Sequence, residues 1–251
     1  MRNIIAGALF ALGTLTMATP AVALDESERK EVETIVRDYL LANPEILIEV
    51  QEALQRKGEE EARKRATAAL SANREAIFES RHQAELGNRE GDVTVVEFFD
   101  YNCSYCRRAL DDMQAIIESD PKVRFVMKEL PILSAQSLEA ARVSTAVYRL
   151  FPESYRDFHS KLLAAEGMKD GDLAYSVAGD MGIDIEALKA EAQKPELIEA
   201  LGEPRALAEA LGINGTPSYV VGDEVVFGAL GADVLREKIA NMRKCGSATC
   251  G

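Results

Sequence analysis

The sequence predicts an α/β domain with a helical insertion, preceded by an extended helical N-terminal region. Three observations carry that expectation. Val93 to Phe99 is a short apolar run, β-branched at its start, that reads as a buried strand. Cys103 to Ile117 follows with helical periodicity through Cys106, Leu110, Met113 and Ile117, and Val123 to Met127 reads as a second strand. Tyr219 to Val221 and Val225 to Phe227 flank the turn Gly222-Asp223-Glu224 as two further strands. Strand, helix, strand, helical block, hairpin, helix is an α/β order.

The helical block, Ala135 to Leu211, is divided by Pro152, Gly167, Gly171, Gly179, Gly182, Pro195 and Gly202. A last amphipathic helix is expected from about Ala232 to Met242. The chain has no internal repeat and no low-complexity tract.

Residues 1–23 stand apart. Arg2 supplies a positive start, Ile4 to Met17 an apolar run, and Ala21-Val22-Ala23 a small-residue cleavage pattern, after which acids begin with Asp25 and Glu26. That order reads as a signal peptide cleaved after Ala23. The competing reading is an uncleaved anchor, but the run is shorter than the ~20 residues a spanning helix needs. An exported, periplasmic protein is therefore expected.

Residues 25–85 are charged and helix-prone, with Gly58 the only glycine and Pro44 the only proline. Val32, Ile35, Val36, Tyr39 and Leu40 form one apolar stripe, Asn43-Pro44 breaks or kinks the helix, and Ile46, Leu47, Val50 and Leu54 resume the stripe. From Gly58 to Arg81 only Leu70, Ile77 and Phe78 are large and apolar, which describes a solvated helix that buries little by itself. The stripe needs a surface, either the following domain or copies of itself. Self-association is the preferred expectation, because the charged stretch separates the stripe from the domain.

The formal charge is −13, and removing residues 1–23 deletes one cation and no acid. Such a surface repels phosphate backbones, so nucleic acid is not an expected partner. The cysteines number four, two close together and two at the C-terminus. In an exported chain of this length that is paired chemistry rather than a disulfide framework.

The chemistry concentrates in Glu97-Phe98-Phe99-Asp100-Tyr101-Asn102-Cys103-Ser104-Tyr105-Cys106. A buried strand leads into Cys-x-x-Cys at the start of a helix. Unpaired N–H groups and the positive end of the helix dipole stabilise a thiolate there, lowering the first cysteine from about 8.5 into the ~3.5–7 range. The thiolate attacks disulfides and the neutral thiol does not. Cys106, one turn on, can close a disulfide with Cys103 or resolve a mixed one. Structural zinc would need two more ligands, and neither His82 nor His159 flanks Cys245 and Cys250 at finger-like spacing. An inert disulfide leaves unexplained why the pair opens a helix after a strand. Neither a metal nor a cofactor is expected.

This segment, with Leu130-Pro131-Ile132-Leu133 and Gly215-Thr216-Pro217-Ser218-Tyr219-Val220-Val221-Gly222, resembles the DsbA family of thioredoxin-fold proteins. Val36-Arg37-Asp38-Tyr39-Leu40-Leu41-Ala42-Asn43-Pro44-Glu45 is similar to the extension of its ScsC-like and Com1-like members. The resemblance implies a helical oligomerisation region at 24–86 and a thioredoxin-fold catalytic domain at 87–244, with the helical insertion at about 134–211. It implies that Cys103 is the exposed nucleophile, Cys106 the buried resolving cysteine and Thr216-Pro217 a cis-proline loop that aligns substrate. Glu97, six residues before Cys103, matches a buried acid that assists proton transfer at the second cysteine. The tryptophan familiar before the first cysteine of thioredoxins is absent, Asn102 standing there, which weakens the case for a general cytosolic-type reductant.

The resemblance stops short of the tail, 245–251. Cys245 and Cys250 read as a small structural disulfide, with a mobile second redox pair or a Cu(I) clamp as alternatives. The expected partners are thiols and disulfides of exported proteins, a membrane redox partner, and copies of this chain, a trimer being favoured by the resemblance. Oxidase and isomerase or reductase use the same residues and both stay open. So does a reading from another class, a periplasmic Cu(I)-binding copper-tolerance protein using Cys103 and Cys106.

Overall fold

In a computed structural model, residues 25–251 are described; the expected signal peptide, 1–23, lies outside them. The chain divides into two compact units at Lys57/Gly58.

In the first unit, α1 (Glu26–Ala42) begins at a reciprocal cap. Asp25 accepts from the amides of Ser27 and Glu28, and Glu28 accepts from the amide of Asp25. The helix ends at Asn43, whose side chain donates back to the Tyr39 carbonyl at 2.8 Å, and Pro44 precedes the next helix. That helix, α2 (Glu45–Ala72), continues through Gly58. The expected stripe is present and uncovered, with Val32, Ile35, Val36, Tyr39, Leu47, Val50 and Leu54 exposed and Leu40 and Ile46 half-buried.

The second unit is built on a five-stranded sheet in the order β1-β3-β2-β4-β5. The strands are β1 (Ala84–Gly87), β2 (Val93–Phe99), β3 (Val123–Glu129), β4 (Ser218–Val221) and β5 (Glu224–Phe227). β2 and β3 are parallel, in register from Val93↔Val123 to Phe99↔Glu129, and the other pairings are antiparallel. Both faces of β2 are buried, which is why it reads as a continuous apolar run. Val95 and Phe99 enter one core cluster with Met113 and Ile116 of α4 (Ser104–Ser119) and Leu235 and Ile239 of α10 (Ala232–Cys245). Val96 and Phe98 enter a second cluster with Leu207 and Leu211.

Between β3 and β4 lies the expected helical block: α5 (Ala135–Leu150), a 3-10 turn (Pro152–Ser154), α6 (Tyr155–Ala164), α7 (Gly171–Asp180), α8 (Ile185–Ala192) and α9 (Pro195–Leu211). Gly202 does not divide it, because α9 runs through both Gly202 and Pro204. Leu70, Ile77 and Phe78 also depart from the expectation of a solvated segment. They are buried in the second cluster, where α2 gives way to α3 (Arg74–Phe78). β1 is a further element that the apolar pattern did not announce.

Candidate active site at the N-terminus of helix α4

The site is assembled where β2 ends. Cys103 is the N-cap of α4, with extended backbone (φ −83°, ψ 117°), so the first amides of the helix point towards its sulfur. The loop before it is pinned by Asp100, a buried carboxylate. Asp100 accepts from the amide of Asn102 at 2.8 Å and from those of Ile132 and Leu133 at 3.0 Å each, and its carbonyl accepts from Cys103 N. Asn102 makes a second tie, donating to the Lys169 carbonyl at 2.8 Å and accepting from the Lys169 amide at 2.7 Å. The sequence carried no sign of either role, since both depend on partners more than thirty residues away.

The two thiols are free and buried, and their environments drive them apart. Cys103 is held down to about 5, chiefly by a hydrogen bond from Cys106; desolvation opposes it, and Thr216 and the amides of Cys106 and Tyr105 add to the lowering. Thr216 Oγ1 is buried and satisfied by no other group, which leaves its hydroxyl to serve the Cys103 sulfur beside the Cys106 thiol. Cys106 is pushed far above the usual thiol range, first by burial, then by Cys103 and by the negative charge of Glu97. At neutral pH the first sulfur is therefore a thiolate and the second carries the proton.

Glu97 is buried at 3 % exposure and pushed up to about 8, mainly by desolvation and further by Asp112 and Cys103. It pairs with Tyr219 across the β2–β4 ladder, and burial followed by Glu97 raises that phenol in turn. Facing α4, the Thr216–Pro217 peptide bond is cis, and in its thiol form Cys103 Sγ donates to the Thr216 carbonyl at 3.1 Å. Pro217 O accepts from Gly228 N at 3.0 Å, which holds the far end of the β4–β5 hairpin against this loop. At the hairpin turn Gly222 has φ +58°, and a Cβ there would collide with Met242 Sδ.

Apolar side chains stand exposed on the segments that these bonds tie together. Tyr105 lies within the motif, Ile132 and Leu133 on the loop bound to Asp100, Met168 beside Lys169, Phe227 at the end of β5 and Leu230 beyond the hairpin. Behind the site lies a buried polar chain: Tyr101 Oη is 2.7 Å from Ser144 Oγ and 3.1 Å from His159 Nδ1, and Ser144 Oγ donates to Glu129 Oε1 at 2.6 Å. Burial lowers His159 to about 3 and raises Glu129 to about 8, so both groups tend to be neutral at pH 7.

Thus Cys103, Cys106, Glu97, Thr216 and Pro217, scattered through the sequence, meet in one place. Cys245 and Cys250 do not join them; they are bonded to each other at the end of α10. The loop they close caps the hairpin. Ser247 Oγ and Ala248 N donate to Asp223 at 2.8 and 2.9 Å, Thr249 Oγ1 donates to Glu224 at 2.8 Å, and Ala248 is fully buried.

Residues 94–240 match the DSBA-like thioredoxin domain, and residues 28–61 match the copper resistance protein ScsC N-terminal domain. A thioredoxin-like oxidoreductase from Silicibacter pomeroyi is 40% identical, with a TM-score of 0.66 over 69% of this chain and 99% of that one. Proteus mirabilis ScsC in a transitional conformation is 30% identical, with a TM-score of 0.62 over 85% of this chain and 94% of that one. Disulfide bond formation protein D of Bacillus subtilis is 29% identical over 62% of this chain and 75% of its own length. With a thioredoxin-like sheet, a strand-to-helix Cys-x-x-Cys and a family match across more than half its length, this chain belongs to the DSBA-like thioredoxin family and is a thiol–disulfide oxidoreductase of the DsbA/ScsC type.

Proposed function

We propose that this chain exchanges disulfides with polypeptides exported to the periplasm, acting as an isomerase or reductase through the Cys103-Ser104-Tyr105-Cys106 centre. The observation that carries the reading is the split between the thiols, Cys103 held near 5 and Cys106 pushed far above its usual range. The Cys103 thiolate attacks a substrate disulfide, forms a mixed disulfide and expels one substrate sulfur as thiolate. Cys106 then gives up its proton to the ionised fraction of Glu97, a base poised near 8, and attacks Cys103. The second substrate sulfur leaves, the pair ends oxidised and the substrate has gained two electrons. In isomerisation the released substrate thiolate instead attacks another disulfide of the same chain, and the thiolate this frees attacks the mixed disulfide, expelling Cys103 as thiolate so that the enzyme returns reduced. A membrane redox partner keeps the pair reduced.

Thr216 and Pro217 align the substrate segment, and the exposed Tyr105, Ile132, Leu133, Met168, Phe227 and Leu230 suit an unfolded chain with apolar side chains. The export reading draws on residues 1–23 and on the Cys245–Cys250 disulfide, since such bonds persist in oxidising compartments. Residues 24–86 act as an oligomerisation region, a trimer by resemblance, which holds several redox centres around one substrate; a monomer would act as a simple oxidase. On this reading 87–244 is the catalytic domain and 245–251 the tail, with β1 (Ala84–Gly87) and the buried Leu70, Ile77 and Phe78 joining the catalytic domain's sheet and core from the preceding segment. Refolding of scrambled ribonuclease tests the function: the full chain accelerates it and Cys103→Ser does not. Full activity in Cys103→Ser would remove the assignment.

A second reading, Cu(I) binding at Cys103 and Cys106, draws on the match of residues 28–61 to a copper resistance domain. Ligand sulfurs must lose their protons, and buried Cys106 retains its own strongly. Turnover of scrambled ribonuclease with and without Cu(I) separates the two readings.

A further inference from the structure

A cleft of about 180 Å³ opens between the β3–α5 loop and helices α5 and α9, away from the two thiols. Its walls include Ile132, Leu138, Ile198 and Leu201, and two arginines, Arg142 and Arg205, also line it. No carboxylate is among its lining residues, although the chain has 42 acids against 29 lysines and arginines. Arg142 Nε is buried and donates to no group in the protein. A buried donor left in that state carries its full desolvation cost, the more so when charged, unless an acceptor arrives. Among the described residues neither arginine has an ion-pair partner. The cleft therefore offers apolar walls and two unpaired, planar cationic donors, a combination that fits an aliphatic side chain next to a carboxylate.

The cleft shares one loop with the redox site. Ile132 forms part of its wall, and the amides of Ile132 and Leu133 are bound to Asp100, whose carbonyl in turn holds the Cys103 amide. Leu133 is exposed on the side of that loop. A polypeptide whose cysteine is engaged by Cys103 can run past Leu133 and Ile132 into the cleft.

We infer that this cleft is a substrate-selecting subsite, which takes an acidic–aliphatic segment of the client polypeptide, with Arg142 and Arg205 pairing its carboxylate and Ile132, Leu138, Ile198 and Leu201 its aliphatic side chain. The inference rests on the disulfide-exchange reading proposed above and specifies which clients are favoured. Arg142 and Arg205 are specificity-determining residues and take no part in the sulfur chemistry. Because Arg142 is partly buried, the more exposed Arg205 provides the milder variant.

The test uses the full chain and disulfide-bonded peptides that carry a Leu-Asp pair, a Leu-Asn pair or a Leu-Lys pair at graded spacings from the cysteine. At the best spacing the Leu-Asp peptide should show a KM roughly tenfold below the Leu-Lys peptide, with kcat nearly unchanged. Arg205→Met and Arg142→Met should each erase most of that difference while turnover of the Leu-Lys peptide is retained. Octanoate serves as a probe of a free aliphatic carboxylate. Equal KM values for all peptides at every spacing would overturn the subsite, and so would octanoate binding in the cleft without any preference among the peptides. Absence of turnover on every peptide, by contrast, would strike the exchange reading itself.

Discussion

Cys103 Sγ lies 3.1 Å from the carbonyl oxygen of Thr216, so the cap of helix α4 and the residue before the cis-proline meet across the site. The thiol can donate to that carbonyl, but a thiolate cannot. Ionisation of Cys103 therefore leaves the Thr216 carbonyl without that donor.

Thiolate formation should be visible directly. Alkylation of Cys103 in the reduced protein should follow a titration with its midpoint near 5, against about 8.5 for a free thiol. The linkage has a definite sign. A depressed folded-state pKa stabilises the reduced fold fully above the unfolded thiol's pKa, and that contribution disappears as pH falls through about 5. Urea unfolding of the reduced protein between pH 4 and 9 measures it, with Cys103→Ser as the reference that lacks the slope.

Glu97 should act in the opposite sense. Its folded pKa of about 8 lies above the carboxylate's usual value, so its burial erodes stability as pH rises from about 4.5 towards 8. Glu97→Gln is expected to be at least as stable as the parent at pH 8. It should also slow resolution of mixed disulfides by about tenfold or more, in line with loss of a proton acceptor. Single-turnover kinetics with a pH profile separates these effects, because a merely structural substitution would not remove the pH dependence of the resolution step.

The tail should behave as a clip. Cys245→Ser with Cys250→Ser is expected to lower stability by about 2 kcal/mol, the chain-entropy value for so short a loop, and to loosen the β4–β5 hairpin. Exchange activity should largely survive at low temperature. Loss of activity without loss of thermal stability would make these cysteines a second redox pair instead.

The exposed stripe predicts assembly. Burying each large side chain such as Ile35, Tyr39 or Leu47 is worth ~1.5–3 kcal/mol. Light scattering on the mature chain should give an oligomer, and on a version beginning at Gly58 a monomer. A monomeric mass for both would shift the direction of catalysis towards oxidation.

Much of this was legible in the sequence, for physical reasons that differ from element to element. The cores of β2 and β3 are announced by unbroken apolar runs, and α4 and α10 by helical periodicity. The Cys-x-x-Cys and Thr-Pro motifs are local in sequence, and the fold brings them together at 3.1 Å. β1 escaped because four residues, Ala84–Gly87, carry too little pattern; the strand exists by pairing with β3. Leu70, Ile77 and Phe78 looked like isolated apolar groups on a charged helix, and only the underside of the sheet gives them a core. Buried charges were equally hidden. Lys128 is fully buried because Glu203 and the Ala76 carbonyl, both distant in sequence, receive its ammonium at 2.9 and 2.6 Å. Asp100 reads as an ordinary turn residue until the Ile132 and Leu133 amides are placed against it.

The most direct test of the division of labour between the two thiols is trapping. Cys106→Ser, incubated with a scrambled disulfide protein and quenched in acid, should accumulate a mixed disulfide that peptide mass mapping assigns to Cys103. The matching Cys103→Ser variant should accumulate none, its remaining thiol being buried and protonated. A covalent adduct at Cys106 in the Cys103→Ser protein, formed as fast as the Cys103 adduct, would contradict the assignment.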